Sequence, residues 1–197
     1  GGALVAVVIG CQAEPAVKEA AAYGADRIIL VDGPEYRHYT TDAYADALYT
    51  LVTRYGPTTM MIGATNVGRD VGPRLSCRLK TGLTADCTAV DYDEATGNIA
   101  WTRPTFGGNL LATIMCPEHR PQIGTVRPGV FKKGERIPDN QPEIIREEIH
   151  ITADRIRTRV VEVIRELNGE NINLESAEVI VSGGRGVGGP EGFALLK

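Results

Sequence analysis

The residues best suited to binding chemistry form a glycine-rich run near the end of the chain, Ser182–Gly189. Within it Gly184, Gly186 and Gly189 fit the spacing G-x-G-x-x-G, after a predicted strand at 178–181 and before a predicted helix. Glycines let a backbone approach a ligand closely, and the unpaired amides at the start of a helix attract phosphate. The run therefore predicts a phosphate loop, with a plain glycine-rich connection as the alternative.

Arg185 lies inside this run and adds a permanent positive charge with planar hydrogen-bond donors. Such a group suits a phosphate or the electron-rich edge of a reduced flavin. No catalytic residue is predicted, because the chain lacks a Gly-x-Ser-x-Gly elbow and a His-x-x-x-His pair. No metal site is predicted either, since the cysteines are widely spaced and form no C-x-x-C pair.

A second candidate site lies where a predicted strand ends and a helix begins, which is where open α/β sheets hold their ligands. In the segment 63–74, Thr65 or Asn66 can cap the helix, and Arg69 and Arg74 can face a ligand or a partner. The alternative is a capped surface helix on which Arg69 and Asp70 pair with neighbours. The residue types favour this alternative.

Two further arginines, Arg103 and Arg127, each stand directly before a proline. Proline keeps the preceding residue extended and ends sheet pairing, so both arginines are predicted at strand ends. An ion pair and an interface contact are both open to them, and we favour the interface.

The elements that position these residues begin as an α/β pattern. Short apolar runs alternate with segments of helical period, which predicts a parallel sheet with helices across its faces. The predicted strands are 3–9, 27–31 and 58–62, and the predicted helices are 14–23, 44–55 and 67–80.

From Cys87 onward, strands follow one another with short connections, which predicts an antiparallel β patch appended to the parallel sheet. A partner's strand can pair with the edge of such a patch. The predicted strands are 87–92, 98–103, 110–116 and 122–127. One more strand follows at 143–151, and then a helix with the apolar stripe Ile156, Val160, Val163, Ile164 and Leu167.

The chain is expected to contain one α/β domain and the start of another. Residues 1–152 are predicted to form the scaffold that docks a partner, and 153–176 a helix and linker. Residues 177–197 are predicted to begin a second α/β domain, which is truncated.

Composition excludes several classes of partner. A net charge of −4 without long runs of one sign leaves no basic surface for nucleic acid or anionic membranes. No apolar run approaches the ~18 residues of a membrane span. Four cysteines without paired spacing are typical of free thiols in a reducing compartment, so a soluble, cytoplasmic protein is expected.

Several longer motifs, in order along the chain, resemble the alpha subunit of electron-transferring flavoproteins. They are Gly63–Asp70 (GATNVGRD), Thr81–Thr88 (TGLTADCT), Thr102–Pro104 (TRP) with Gly107–Asn109 (GGN), Gly124–Pro128 (GTVRP) and Val179–Gly186 (VIVSGGRG). Motifs of this length and order are more specific than the glycine spacing alone.

The resemblance implies a heterodimer of alpha and beta subunits that accepts electrons from acyl-CoA or other dehydrogenases through FAD and passes them on. It implies that Arg185, together with Gly183, Gly184 and Gly186, contacts the FAD of the second, flavin-binding domain. The antiparallel strands would help to form the interface with the beta subunit. Such a subunit is an electron carrier rather than an enzyme.

The segments Cys116–Gln122 (CPEHRPQ) and Gly124–Pro128 (GTVRP) are similar to forms from anaerobic bacteria, some of which hold a second FAD and NAD in the beta subunit and bifurcate electrons from NADH. Compared with the family, a first strand and helix before Gly1 and most of the flavin domain after Lys197 are expected to be missing. We therefore predict that the chain alone does not hold FAD tightly, which the flavin absorbance of the purified chain would show.

Two other functions remain open at this point. A dinucleotide-dependent oxidoreductase would use Gly184, Gly186 and Gly189 for NAD or FAD, and it would need an acidic residue about 20 positions later. An interaction module without a bound cofactor would need only the beta subunit, and a pull-down would detect that pairing.

Overall fold

The structure, a computed structural model, describes residues 2–164, 177 and 179–196. The chain forms two compact units, Gly1–Val160 and Val161–Lys197. All described residues that lie in α-helices or β-strands belong to the first unit. These elements are β1 (Val5–Gly10), α1 (Glu14–Ala21), β2 (Arg27–Asp32), α2 (Thr41–Tyr55), β3 (Thr59–Gly63), α3 (Asn66–Leu79), β4 (Leu83–Cys87), β5 (Ala89–Asp93), β6 (Asn98–Thr105), β7 (Leu110–Ile114), β8 (Gln122–Val126) and β9 (Glu143–Arg146).

The first sheet has the order β1-β2-β9, and all its strands are parallel. Its middle strand, β2, is buried on both faces, because its apolar side chains alternate between two helices. Ile28 and Leu30 pack with Val17 of α1 on one face, while Ile29 and Val31 pack against α2 on the other. This arrangement confirms the predicted parallel sheet with helices across its faces.

The second sheet has the order β3-β8-β4 and is also parallel. Its middle strand, β8, pairs with β3 and β4 rather than with β7, so the antiparallel hairpin predicted at 122–127 is wrong. The strand is almost wholly buried, and neighbours on both sides are needed to satisfy its backbone groups there. The strand β4, which the sequence did not predict, supplies the second neighbour.

The helix α3 starts where the chain leaves β3. The Thr65 hydroxyl accepts a hydrogen bond from the Gly68 amide (3.2 Å), so Thr65, rather than Asn66, caps the helix. Position 68 requires glycine because a Cβ there would lie 1.8 Å from the Gly63 carbonyl oxygen. The first turn of α3 is therefore in direct contact with the end of β3, which holds Arg69 at the carboxyl edge of the second sheet.

The third sheet is the predicted antiparallel one, with the order β5-β6-β7. Its middle strand, β6, fixes it to β8. The Trp101 indole, which is 1% exposed, lies over Gly124, where a Cβ would be 2.3 Å from the ring. The Ile99 amide also donates a hydrogen bond to the Gln122 side chain (2.8 Å). The contact between Trp101 and Gly124 therefore joins the antiparallel sheet to the second parallel sheet.

The strand predicted at 143–151 is shorter than expected and ends at Arg146. Beyond it the chain runs on without strand pairing, but its apolar residues Ile149 and Ile151 are buried in the core beside α2. The Tyr36 hydroxyl donates to the Ile149 carbonyl oxygen (2.7 Å). Burial of alternate residues explains why this segment has the pattern of a strand.

The helix predicted from Ile156 onward is absent from residues 156–164, and Leu167 lies outside the described residues. The Asp42 carboxylate of α2 accepts hydrogen bonds from the backbone amide (3.0 Å) and from the guanidinium (2.8 Å) of Arg157, and so it holds the beginning of this segment against α2.

The described part of the second unit contains two 3-10 turns, Arg185–Val187 and Pro190–Leu196. The second of these occupies the place of the predicted helix. Residues 179–181 are exposed and lie in no strand, so the predicted strand is wrong for them, and Glu178 lies outside the described residues. A strand needs a neighbour to pair with its backbone, and no described residue supplies one.

Candidate functional site

Three arginines from distant parts of the sequence meet around one aspartate. Arg69 of α3 and Arg127, which follows β8, both donate to the Asp86 carboxylate, at 2.9 and 2.6 Å. Arg103 of β6 is near enough for its charge to help lower the pKa of Asp86. We call these four residues the arginine cluster. Each of its four members lies in a different sequence motif, so the fold brings together residues that are far apart along the chain.

The arginine cluster lies at the carboxyl edge of the second sheet, where open α/β sheets hold their ligands. Arg69 Nε donates to the carbonyl oxygen of Ala64, one residue beyond β3 (2.9 Å). The Arg127 amide donates to the carbonyl oxygen of Cys87, the last residue of β4 (3.0 Å). The backbone of the sheet thus fixes the two arginines that pair with Asp86.

Asp86 has a left-handed backbone, with a φ of 63°, which is uncommon for a residue with a side chain. Its amide donates to Thr125 Oγ1 (2.8 Å), and the pairing of β4 with β8 shifts register between Thr84 and Cys87. This irregularity places the carboxylate between two arginines. Reasoning from the sequence missed Asp86, whose one signal was its place in the TGLTADCT motif.

Charge in the arginine cluster is unequal, since three guanidiniums accompany one carboxylate. The hydrogen bond from Arg127 is the main cause that lowers the pKa of Asp86, and the charges of Arg127, Arg69 and Arg103 add to it. The side chains of Arg69 and Arg127 are 56% and 43% exposed. Arg103 Nε is buried and has no hydrogen-bond partner among the described residues. The cluster therefore keeps a net positive charge and one unmatched donor.

The structure places the two arginines of the predicted site at 63–74 in different surroundings. Arg69 joins the arginine cluster, whereas Arg74 binds Asp42 of α2 (2.9 Å). Asp70 accepts a hydrogen bond from the Tyr39 hydroxyl (2.6 Å). The two arginines therefore do not share one site, and Arg69 and Asp70 both pair with neighbours, as the alternative of a capped helix has it.

The outermost strand of the antiparallel sheet exposes apolar side chains. Phe106, Leu110, Leu111 and Ile114 are 81, 58, 69 and 41% exposed, and we call these residues the β7 edge. Among the described strands β7 pairs only with β6, which leaves one side of its backbone unpaired. Large exposed apolar patches mark interaction sites, and open strand edges invite pairing.

The β7 edge and the arginine cluster are neighbours. Ala112 of β7 is directly opposite Arg103 of β6 in the antiparallel pairing, and Phe106 follows the end of β6. Side chains alternate between the two faces of a sheet, so Leu110 and Ile114 share the face of Arg103, whereas Leu111, opposite Pro104, lies on the other face. A partner that covers Leu110 and Ile114 would therefore approach Arg103.

The glycine-rich loop of the second unit leaves its backbone accessible. A Cβ at Gly184 or Gly186 would meet nothing within 4 Å, whereas one at Gly183 would lie 2.7 Å from Val187. Arg185 is exposed between the two open glycines. Gly184 and Gly186 thus suit the close approach of a ligand, while Gly183 is required by packing within the loop. Their assignment as cofactor residues stays a prediction.

The first unit is an α/β domain that presents a cluster of cations and an apolar strand edge. The described residues include no group of three or more side chains that could hold a metal ion. In the part of the chain that the structure describes, no helix is long and apolar enough to cross a membrane.

The family model of the electron transfer flavoprotein domain matches residues 1–152. The chain belongs to the electron transfer flavoprotein family. It is 47% identical over 98% of its length to electron transfer flavoprotein subunit alpha of Thermoanaerobacterium thermosaccharolyticum, and 45% identical over 98% to Protein FixB of Clostridium saccharobutylicum. It is 41% identical over 95% of its length to acryloyl-CoA reductase electron transfer subunit beta of Anaerotignum propionicum. The chain spans 58, 57 and 57% of the lengths of these relatives. The resemblance to alpha subunits of this family is thereby confirmed.

Proposed function

We propose that the chain is part of the alpha subunit of a heterodimeric electron transfer flavoprotein, which accepts electrons from dehydrogenases through FAD and passes them on in the cytoplasm. Membership of the family supports this, as do the relatives named alpha subunit. A carrier of this kind needs no bond-making side chain from the protein. It needs surfaces that hold the cofactor and bring partners together.

In this proposal the first unit is a scaffold that docks the beta subunit through the β7 edge. The observation that carries the proposal is the exposure of Phe106 (81%) and Leu111 (69%) beside an unpaired strand edge. Burying apolar surface contributes about 25 cal/mol per Å² removed from water. A partner strand would also satisfy the open amides and carbonyls of β7.

The second unit would supply contacts to FAD. The open space at Gly184 and Gly186 fits a phosphate or a flavin ring that approaches the backbone, and Arg185 between them offers a permanent cation. When bound, the flavin supplies the electron-accepting chemistry. Arg185 would then orient the group and set the local charge, with Gly183 holding the loop in shape.

The electron partners proposed are acyl-CoA and other dehydrogenases. The relative named as an electron transfer subunit of acryloyl-CoA reductase supports partners that act on CoA esters. The similarity to forms from anaerobic bacteria supports extending the proposal to bifurcation of electrons from NADH, with a second FAD and NAD in the beta subunit. Simultaneous reduction of two acceptors by NADH in the complete heterodimer would test that extension.

Binding to the beta subunit tests the docking step. Wild type should form a complex with one copy of each chain, and Leu111→Asp should weaken it about tenfold or more, because a charge would be buried in an apolar contact. The matched control Leu4→Asp places the same charge at a leucine of similar exposure (59%) beside the first sheet, and it should bind like wild type. Equal affinities of the two variants would contradict docking through the β7 edge.

A further inference from the structure

We propose that the arginine cluster is a socket for an acidic side chain of the beta subunit. The inference rests on the proposed function and deepens it, because it names the chemistry that the partner must present. That chemistry is an aspartate or glutamate carboxylate set beside apolar residues that cover the β7 edge.

The arginine cluster has more positive charge than its own residues neutralise. Arg69 and Arg127 share the single carboxylate of Asp86, and the buried Nε of Arg103 has no partner among the described residues. Arginine recognises a carboxylate with charge-assisted, often bidentate hydrogen bonds. A second carboxylate would balance the positive charge of the cluster.

Two of the guanidinium groups are positioned before any partner arrives. Arg69 donates to the Ala64 carbonyl oxygen (2.9 Å), and Arg69 and Arg127 both donate to the Asp86 carboxylate (2.9 and 2.6 Å). Arg103 lies in the middle strand of the antiparallel sheet. Side chains that are already ordered lose less entropy on binding, so this arrangement favours specific recognition.

The neighbourhood of the arginine cluster favours a protein carboxylate over a free phosphate. Arg69 and Arg127 are 56% and 43% exposed, so a small ion there would remain in contact with water, which screens the attraction. A subunit that covers the β7 edge would exclude water from Arg103 in the same contact. Central desolvated contacts are the ones that dominate interface energies.

The affinity for the beta subunit at several salt concentrations tests the socket. Arg103→Gln should raise Kd about tenfold at low salt and make Kd less dependent on salt, because one charge pair is lost. Arg103→Lys keeps the positive charge and should keep most of the salt dependence. The control Arg136→Gln removes an arginine that pairs with Glu19 in a different part of the first unit (2.6 Å), and it should behave like wild type.

Identical Kd and salt dependence for Arg103→Gln and Arg136→Gln would overturn the socket while leaving docking intact, provided that wild type binds. Failure of wild type to bind the beta subunit would instead overturn the proposed function. Circular dichroism checks that the variants fold. If Arg103→Gln does not, Arg69→Gln provides the same test at a half-exposed position, with the same expected change.

Calorimetry with inorganic phosphate separates the two sources of negative charge. We expect wild type and Arg103→Gln to bind phosphate equally weakly. Tight phosphate binding by wild type that Arg103→Gln abolishes would show a site for a small anion and would overturn the carboxylate socket.

Discussion

The strands β8 and β7 have the same length and opposite surroundings. Each has five residues and belongs to a three-stranded sheet of the same unit. β8 is the middle strand of its sheet, and four of its residues are buried, whereas β7 is an outer strand with no fully buried residue. One strand is part of the core and the other is open surface.

From composition alone, the more apolar β7 would be expected in the core and β8 at the surface. β8 contains Gln122 and Thr125, which are buried at 2% and 1% exposure because each accepts a hydrogen bond from a backbone amide. β7 contains Leu110, Leu111 and Ile114, all of them exposed. Neighbouring elements, rather than hydrophobicity, decide where a strand lies, and an apolar strand left uncovered is available to another chain.

The largest expected effect comes from Trp101→Ala, which empties the space over β8. Loss of a buried tryptophan should lower the free energy of unfolding by about 3–5 kcal/mol. Tyr92→Ala, at a residue of the same sheet that is 62% exposed, should change it by less than about 0.5 kcal/mol. Urea unfolding measures both values, and similar losses would erase the distinction between the inner and outer surfaces of the antiparallel sheet.

Gly124→Ala should have the next largest effect, because its Cβ would lie 2.3 Å from the Trp101 ring. Overpacking of this kind costs about 1–3 kcal/mol. In the Trp101→Ala background the same substitution should cost less, since the ring is gone. A double-mutant cycle measures this coupling, and strictly additive losses would argue against the contact.

Acid should destabilise the fold around β8, because it protonates Asp86. Its hydrogen bond from Arg127 lowers its pKa in the folded state, so the stability it provides is present above about pH 4 and is lost as pH falls further. Wild type should therefore lose more stability than Asp86→Asn between about pH 5 and about pH 2. Thermal unfolding at each pH measures the difference, and parallel pH curves would contradict the ion pairs.

The smallest expected effect on stability belongs to the β7 edge. Leu111→Asp should change the free energy of unfolding by less than about 0.5 kcal/mol, even though it should weaken binding to the beta subunit. Urea unfolding of the isolated chain provides the value. A large loss would mean that Leu111 stabilises the folded chain itself and would remove the contrast with β8.

Local patterns allowed much of the first unit to be predicted from the sequence. The apolar run of β2 and the helical spacing of α2 indicated elements that the structure contains. The partners of β8 could not be predicted, because a short connection usually gives a hairpin and only burial beneath Trp101 decides otherwise. The helix expected from Ile156 is wrong for residues 156–164, and the contact of Arg157 with Asp42, distant in sequence, could not be predicted from local spacing.

The candidate site could be predicted in part. Arg69, Arg103 and Arg127 stood out in the sequence, but their common partner did not. Asp86 reaches them through a left-handed backbone and a hydrogen bond with Thr125, and both depend on the packed sheet rather than on local sequence. Arg185 and its neighbouring glycines remain a prediction that a complex with FAD would test.

The contact of Trp101 with Gly124 also provides a spectroscopic probe. The chain has one tryptophan, so its fluorescence comes from a single place, the junction of the antiparallel and parallel sheets. Emission should lie at short wavelength while the indole is shielded, and it should shift to the red when β6 separates from β8. Comparison of this shift with the loss of circular dichroism can therefore distinguish partial opening of the junction from complete unfolding without any added label.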